Sequence, residues 1–145
     1  MTQEEKDILI KDLCARLSYG VKCISGVDDA ILIIEGINPN CNGASEVQVT
    51  YERSGINFDT KISSIKPYLF PLSNMTEEQL HELREMFGFE IEFGDGFIEL
   101  STFHHGRLGY SEMDAMFDYF NRNHFDYRGL IPMGLANDAT GLDIY

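Results

Sequence analysis

The chain has no tryptophan, three cysteines, four prolines, few basic residues and no long apolar run. Each shortage excludes something. The longest apolar stretch, Ala30-Ile31-Leu32-Ile33-Ile34, is five residues, whereas a membrane-spanning helix needs roughly 20. The opening Met1-Thr2-Gln3-Glu4-Glu5-Lys6-Asp7 is acidic and polar, the reverse of a secretory leader's basic start and apolar middle. Together these predict a cytoplasmic protein that does not engage membranes. Cys14, Cys23 and Cys41 are odd in number and contain no Cys-x-x-Cys pair, which argues against a disulfide framework and a zinc knuckle. Free, partly buried thiols in a reducing compartment are expected.

Positive charge is the scarcest commodity. Eleven Lys and Arg stand against 24 Asp and Glu, a formal net charge of -13. The imbalance concentrates between Pro71 and Asp118. There Glu77, Glu78, Glu82, Glu85, Glu90, Glu92, Asp95, Glu99, Glu112, Asp114 and Asp118 face only Arg84 and Arg107, so nine of the thirteen excess negative charges lie in that third of the chain. Such a field repels nucleic acid and anionic lipid, and direct nucleic-acid binding is not expected. A protein with a basic surface is the partner it suits, although acidity also serves solubility alone.

What is present fits one domain, residues 1–145. Ten Phe and seven Tyr supply bulky core material. Thr2 with Glu5 forms a capping-box pattern, and Ile10, Leu13, Cys14 and Leu17 recur at helical spacing behind it. Val21 to Ile24 and Ala30 to Ile37 read as strands around a Gly26–Asp29 turn. The Asn38-Pro39-Asn40-Cys41-Asn42-Gly43 cluster reads as loop. Glu46 to Tyr51 alternates as a half-buried strand. A short strand is only weakly signalled between Arg53 and Ser64. Ile65 to Leu72, with prolines at 67 and 71, reads as an extended connector lying on the core. A second helix begins at the Thr76/Gln79 capping pattern, buries Leu80, Leu83 and Phe87, and stops at Gly88. Phe89 to Phe93, Gly94-Asp95-Gly96 and Phe97 to Leu100 predict a hairpin with Glu90, Glu92 and Glu99 on its outer face and Asp95 at its tip. Ser111 with Asp114 starts a third helix, its stripe Met113, Met116, Phe117 and Phe120. The order α-β-β-β-α-β-β-α predicts an α+β domain with about three helices and a mainly antiparallel sheet.

Three stretches invite a functional reading. The hairpin carboxylates Glu90, Glu92, Asp95 and Glu99 make a candidate partner-binding surface; they lack calcium-loop spacing. His104-His105, in the loop "FHHGRLGY", offers imidazoles that titrate near neutrality but has no spaced zinc partners. No metal site or cofactor is expected. Last comes "NHFDYRGLIPMGLA" (Asn123 to Ala136). His124 falls near the end of the third helix, where a cation is favoured by the helix dipole. Asp126 and Arg128 fall on one side of an extended segment, where they can pair with each other or with the helix end and pin a turn at Gly129. The segment reads either as a clasp tying the chain to its core or as a binding or catalytic cluster of His124, Asp126 and Arg128. No serine elbow, phosphate loop or dinucleotide fingerprint occurs.

"KDLCARLSYGV" (Lys11 to Val21), "IKPYLFPLSNMTEEQ" (Ile65 to Gln79) and "NHFDYRGLIPMGLA" resemble the hallmark segments of an uncharacterised family of small proteins from gut Bacteroidetes, their phages and their mobile elements. The resemblance covers about a quarter of the chain. It implies a cytoplasmic protein that accompanies mobile elements and brings no activity with it. Two functions follow for testing. One is a non-enzymatic protein-interaction module, acting through the acidic helix-hairpin surface, with a nucleic-acid mimic as one form. The other is a small enzyme or metal or small-molecule binder using His104, His105, His124, Asp126 and Arg128.

Overall fold

The computed structural model describes residues 1–26, 28–41, 44–88, 90–94, 97–101 and 109–145, with backbone only at 39–41, 44–46, 90–91, 93–94 and 97–101. Helix α1 (Gln3–Arg16) starts at the predicted capping box: Thr2 accepts from the Glu5 N–H at 3.2 Å, and the Glu5 carboxylate accepts from the Thr2 N–H at 2.6 Å. Its buried face is not the expected one. Leu9, Asp12, Leu13 and Arg16 point inward, while Cys14 is exposed and Ile10 only half-buried. Two charged side chains occupy positions that an apolar-stripe reading assigns to the surface.

A six-stranded sheet follows. It consists of β1 (Lys22–Ser25), β2 (Ile31–Cys41), β3 (Ala44–Tyr51), β4 (Asn57–Lys61), β5 (Ile65–Leu69) and the short β8 (Asn137–Asp138), in the order β4-β3-β2-β1-β5-β8. All neighbours are antiparallel except β5 and β8. Two expectations are corrected here. The Asn38–Cys41 cluster is strand, because β2 continues to a Cys41–Ala44 pairing with β3. Proline is tolerated at 39 because β1 covers β2 only through its first residues, leaving one edge open, and the register shifts between Asn38 and Cys41. Likewise the proline connector is β5, an interior strand. Pairing with β1 spans Ile65 to Pro67 and pairing with β8 starts at Tyr68, so Pro67 has a strand on one side only.

Helix α2 (Glu77–Phe87) has its capping box from Thr76 and Gln79, and Gly88 closes it in the left-handed region at φ 65°. Leu83 is fully buried there, with Leu80 and Phe87 half-buried. Strands β6 (Glu90–Gly94) and β7 (Phe97–Ser101) form a separate antiparallel hairpin, as the alternation predicts. Helix α3 (Tyr110–Arg122) begins one residue before the expected Ser111 cap; Gly109 is the N-cap, its N–H bonded to the Glu112 carboxylate. Of the predicted stripe, Met116 and Phe120 are buried and Phe117 half-buried, but Met113 is exposed.

The core has two lobes. Leu9 and Leu13 pack on the sheet through Val21, Cys23, Leu32, Ile34, Val47, Val49, Ile65 and Leu69. The second lobe joins Leu83 of α2 to Met116, Tyr119 and Phe120 of α3. Residues 123–139 belong to both, since Phe125 sits in the helical lobe and Leu130, Leu135 and Ala136 in the sheet lobe. The result is an α+β domain with a mostly antiparallel sheet. Among the described residues no helix is long and apolar enough to cross a membrane.

Candidate functional site

The three segments quoted from the sequence meet in space around the C-terminal stretch. Phe70 donates its N–H to the His124 carbonyl at 2.9 Å, and Asp126 donates its N–H to the Phe70 carbonyl at 2.8 Å. From the other side comes Arg16 of α1, with no exposed surface. Its Nε and Nη2 bind the Asp12 carboxylate at 2.8 and 3.0 Å, a two-point pair within one helical turn. Its remaining donors reach the Phe120 carbonyl at 3.3 Å and the Phe125 carbonyl at 2.7 Å. Those carbonyls lie in the last turn of α3 and just after it, where the helix dipole is negative. Arg16 thus fills the cation position expected for His124.

Arg128 completes the cluster. Its Nε stands 3.2 Å from Asp12 Oδ1, an ion pair without hydrogen-bond alignment. Asp12 therefore serves two arginines. The Tyr127 ring lies beside both guanidiniums, 4.7 Å from Arg128 Cζ and 5.3 Å from Arg16 Cζ. Asp126 and Arg128 do not pair with each other. The Asp126 carboxylate instead accepts from the N–H groups of Leu130 and Ile131, both at 2.8 Å. Gly129 makes the turn at φ 73°, as expected from the sequence.

His124 is buried and takes a left-handed backbone at φ 57°. Its ring stacks on Tyr145 with centroids 3.7 Å apart and planes 11° from parallel. Burial, followed by the charges of Arg16 and Lys22, lowers its pKa to about 4. It is neutral at physiological pH, contrary to the cation expected at a helix end. Tyr145 is anchored in turn: its hydroxyl donates to the Tyr68 carbonyl at 2.8 Å and accepts from the Lys22 N–H at 3.2 Å. Burial pushes that phenol up to about 12, and the Cys23 thiol likewise to about 12.

His124, Asp126 and Arg128 are therefore neighbours in sequence whose side chains turn to different tasks. Both carboxylate oxygens of Asp126 are engaged, whereas His124 Nδ1 and Arg128 Nε are buried without a hydrogen-bond partner. His104, His105 and Asp95 lie outside the described residues. Glu90, Glu92 and Glu99 share one face of the hairpin by register, with Glu92 directly opposite Glu99; Glu92 is exposed. Among the described residues no group of three or more His, Cys, Asp or Glu is placed to hold a metal.

The acidic surface is more extensive than the hairpin. Glu77, Glu78, Glu82 and Glu85 are all exposed on α2. A shallow trough of about 880 Å³ runs along it, lined by Glu78, His81, Glu82, Glu85, Met86 and Asn123, with Met86 48 % exposed. Glu112, Asp114 and Asp118 are exposed on α3. Asp12 and Arg16 do not stand out in the sequence as site residues, because charge at a helix interior reads as surface. Their only signal was i, i+4 complementarity inside the first of the three quoted segments. Comparison of the chain with protein-family models, curated proteins and solved structures returned no match.

Proposed function

We propose that this chain is a protein-interaction module that captures a partner with a basic surface through the acidic faces of α2, the β6–β7 hairpin and α3. The observation that carries this reading is the α2 trough, where three exposed carboxylates flank an exposed methionine. Apolar contact at the centre with charge around it is the usual composition of a specific docking surface. Complementary charge speeds the encounter and makes it salt-dependent. The reading also has support from the C-terminal segment, where Asp126 and Arg128 are engaged in holding the fold and His124 is buried and stacked on Tyr145. If the chain accompanies mobile elements, as the resemblance implies, a nucleic-acid-binding protein of the host is a natural basic partner, and the acidic face a mimic of its ligand.

The test is reversal of three exposed carboxylates, Glu78→Lys, Glu85→Lys and Glu92→Lys, in one chain. Partners are captured from host lysate on wild-type protein and identified, and the affinity of the main partner is measured across salt. The variant should stay folded by circular dichroism and lose at least about tenfold in affinity, since each lost interfacial charge contact contributes modestly. A partner held equally by both chains at all salt concentrations would sink the reading.

A further inference from the structure

The six-stranded sheet ends in β8 on one side and in β4 on the other. Strand β8 is two residues long, and the part of β2 that β1 leaves uncovered carries Pro39 and two register shifts. Short strands, proline and bulges are the usual means by which an open edge is kept from pairing. Strand β4 has none of them: Asn57–Lys61 runs in unbroken register with β3.

The Tyr51 N–H donates to the Ile56 carbonyl at 3.0 Å, which makes 51 and 56 a hydrogen-bonded pair. Alternation along the antiparallel ladder then turns the backbone groups of Phe58 and Thr60 toward β3. The N–H groups of Asn57, Asp59 and Lys61 and the carbonyls of Asn57 and Asp59 point outward. The side chains of Asn57, Asp59 and Lys61 are exposed on one face, while Phe58 and Thr60 are half-buried on the other. Among the described residues neither Asp59 nor Lys61 has an ion-pair or hydrogen-bond partner for its side chain. The edge thus offers free backbone donors and acceptors and one unspent charge of each sign, two residues apart.

We propose that β4 is a self-association edge whose occupant is β4 of a second copy of this chain, antiparallel about a two-fold axis at Thr60. That register sets Asp59 of each copy directly opposite Lys61 of the other, with each Lys61 N–H donating to the facing Asp59 carbonyl. Opposite charges placed across a strand pair favour it and like charges oppose it. An axis at Asp59 would set two carboxylates against each other, and one at Phe58 would leave both charges without an opposite. The charges that deter a foreign strand therefore select this one. Thr60 meets its own counterpart at the axis, a favourable cross-strand pair. The acidic excess of residues 71–118 stops short of this edge, since residues 44–66 carry Glu46, Glu52 and Asp59 against Arg53, Lys61 and Lys66. The helical lobe meets the sheet where Phe70 bridges to Phe125 just past β5, four strands from β4. At about 4.8 Å per strand that is roughly 19 Å, beyond the ~8 Å over which salt screens a charge. The inference does not depend on the interaction-module reading.

The experiment is sedimentation equilibrium of the full chain over a range of concentrations at physiological salt. Wild type should show a weak monomer–dimer equilibrium, as suits a short strand pairing. Asp59→Lys and Lys61→Asp, both at exposed positions, should keep the fold by circular dichroism. Each variant alone should weaken the dimer by at least about tenfold, because two opposite-charge pairs become two like-charge pairs. An equimolar mixture of the two variants restores Asp59 opposite Lys61 in charge, and should form a heterodimer of near wild-type affinity. A wild type that stays monomeric at every concentration, a dimer untouched by either reversal, or two variants that fail to associate when mixed would each overturn the proposal.

Discussion

Asp12 is the anion that two arginines share. It is fully buried and neutralises Arg16 through two hydrogen bonds while standing 3.2 Å from Arg128. Removing one member of a buried ion cluster costs far more than the cluster contributes, because the charge left behind has lost its solvation. Asp12→Asn strands two guanidiniums and should cost about 3–5 kcal/mol in urea denaturation. Arg128→Ala leaves the Asp12–Arg16 pair intact, and its side chain is already 26 % exposed, so a loss nearer 1 kcal/mol is expected. An opposite ranking would show that the clasp is not organised around Asp12. His124 gives a second prediction. Its folded pKa of about 4 lies below the ordinary 6.5, so between those values the unfolded chain binds a proton that the native chain does not. Stability is therefore complete above about pH 6.5 and falls as pH drops toward about 4, by an amount of order 3 kcal/mol. Comparing denaturation across that window in wild type and His124→Asn, which tolerates the left-handed backbone and does not titrate, should show the slope flatten in the variant.

Among the elements, the β6–β7 hairpin sets stability against the binding proposed above. Glu92 and Glu99 stand directly opposite each other, and like charges so placed destabilise a pair of strands by roughly 0.2–1 kcal/mol. Glu92→Lys should therefore slow amide exchange in β6 and β7 while weakening capture of a basic partner. A hairpin that exchanges faster in the variant would contradict the register. This hairpin, both capping boxes and the alternating β3 were legible because each rests on neighbours within a few residues. Other features were not, for identifiable reasons. The face that α1 buries was hidden because Asp12 and Arg16 become core residues only when carbonyls of Phe120 and Phe125 arrive. Strand β5 was hidden by its prolines, which exclude a strand flanked on both sides but not one whose neighbours divide its length. The two-residue β8 has no pattern of its own, and its pairing is set by β5. The candidate cluster of His124, Asp126 and Arg128 was recognised as a unit, yet its partners Asp12 and Tyr145 lie far away in sequence.

Across the whole molecule, charge and burial divide the labour. The sheet lobe and its clasp absorb a concentrated set of buried polar groups, while α2, the hairpin and α3 carry nine of the thirteen excess negative charges. A partner that recognises the acidic side meets a surface whose geometry is fixed from behind, because Tyr119 of α3 donates its hydroxyl to Glu82 of α2 at 3.0 Å. The Arg16 contacts have a consequence for biosynthesis as well. They join positions 104 and 109 residues apart, and the acidic region is the stretch of chain enclosed between them. During translation α1 is made with a charged pair on its inward face well before the carbonyls that cover it. Contacts so far apart in sequence raise the contact order, and the Arg16 contacts cannot close before α3 has been made.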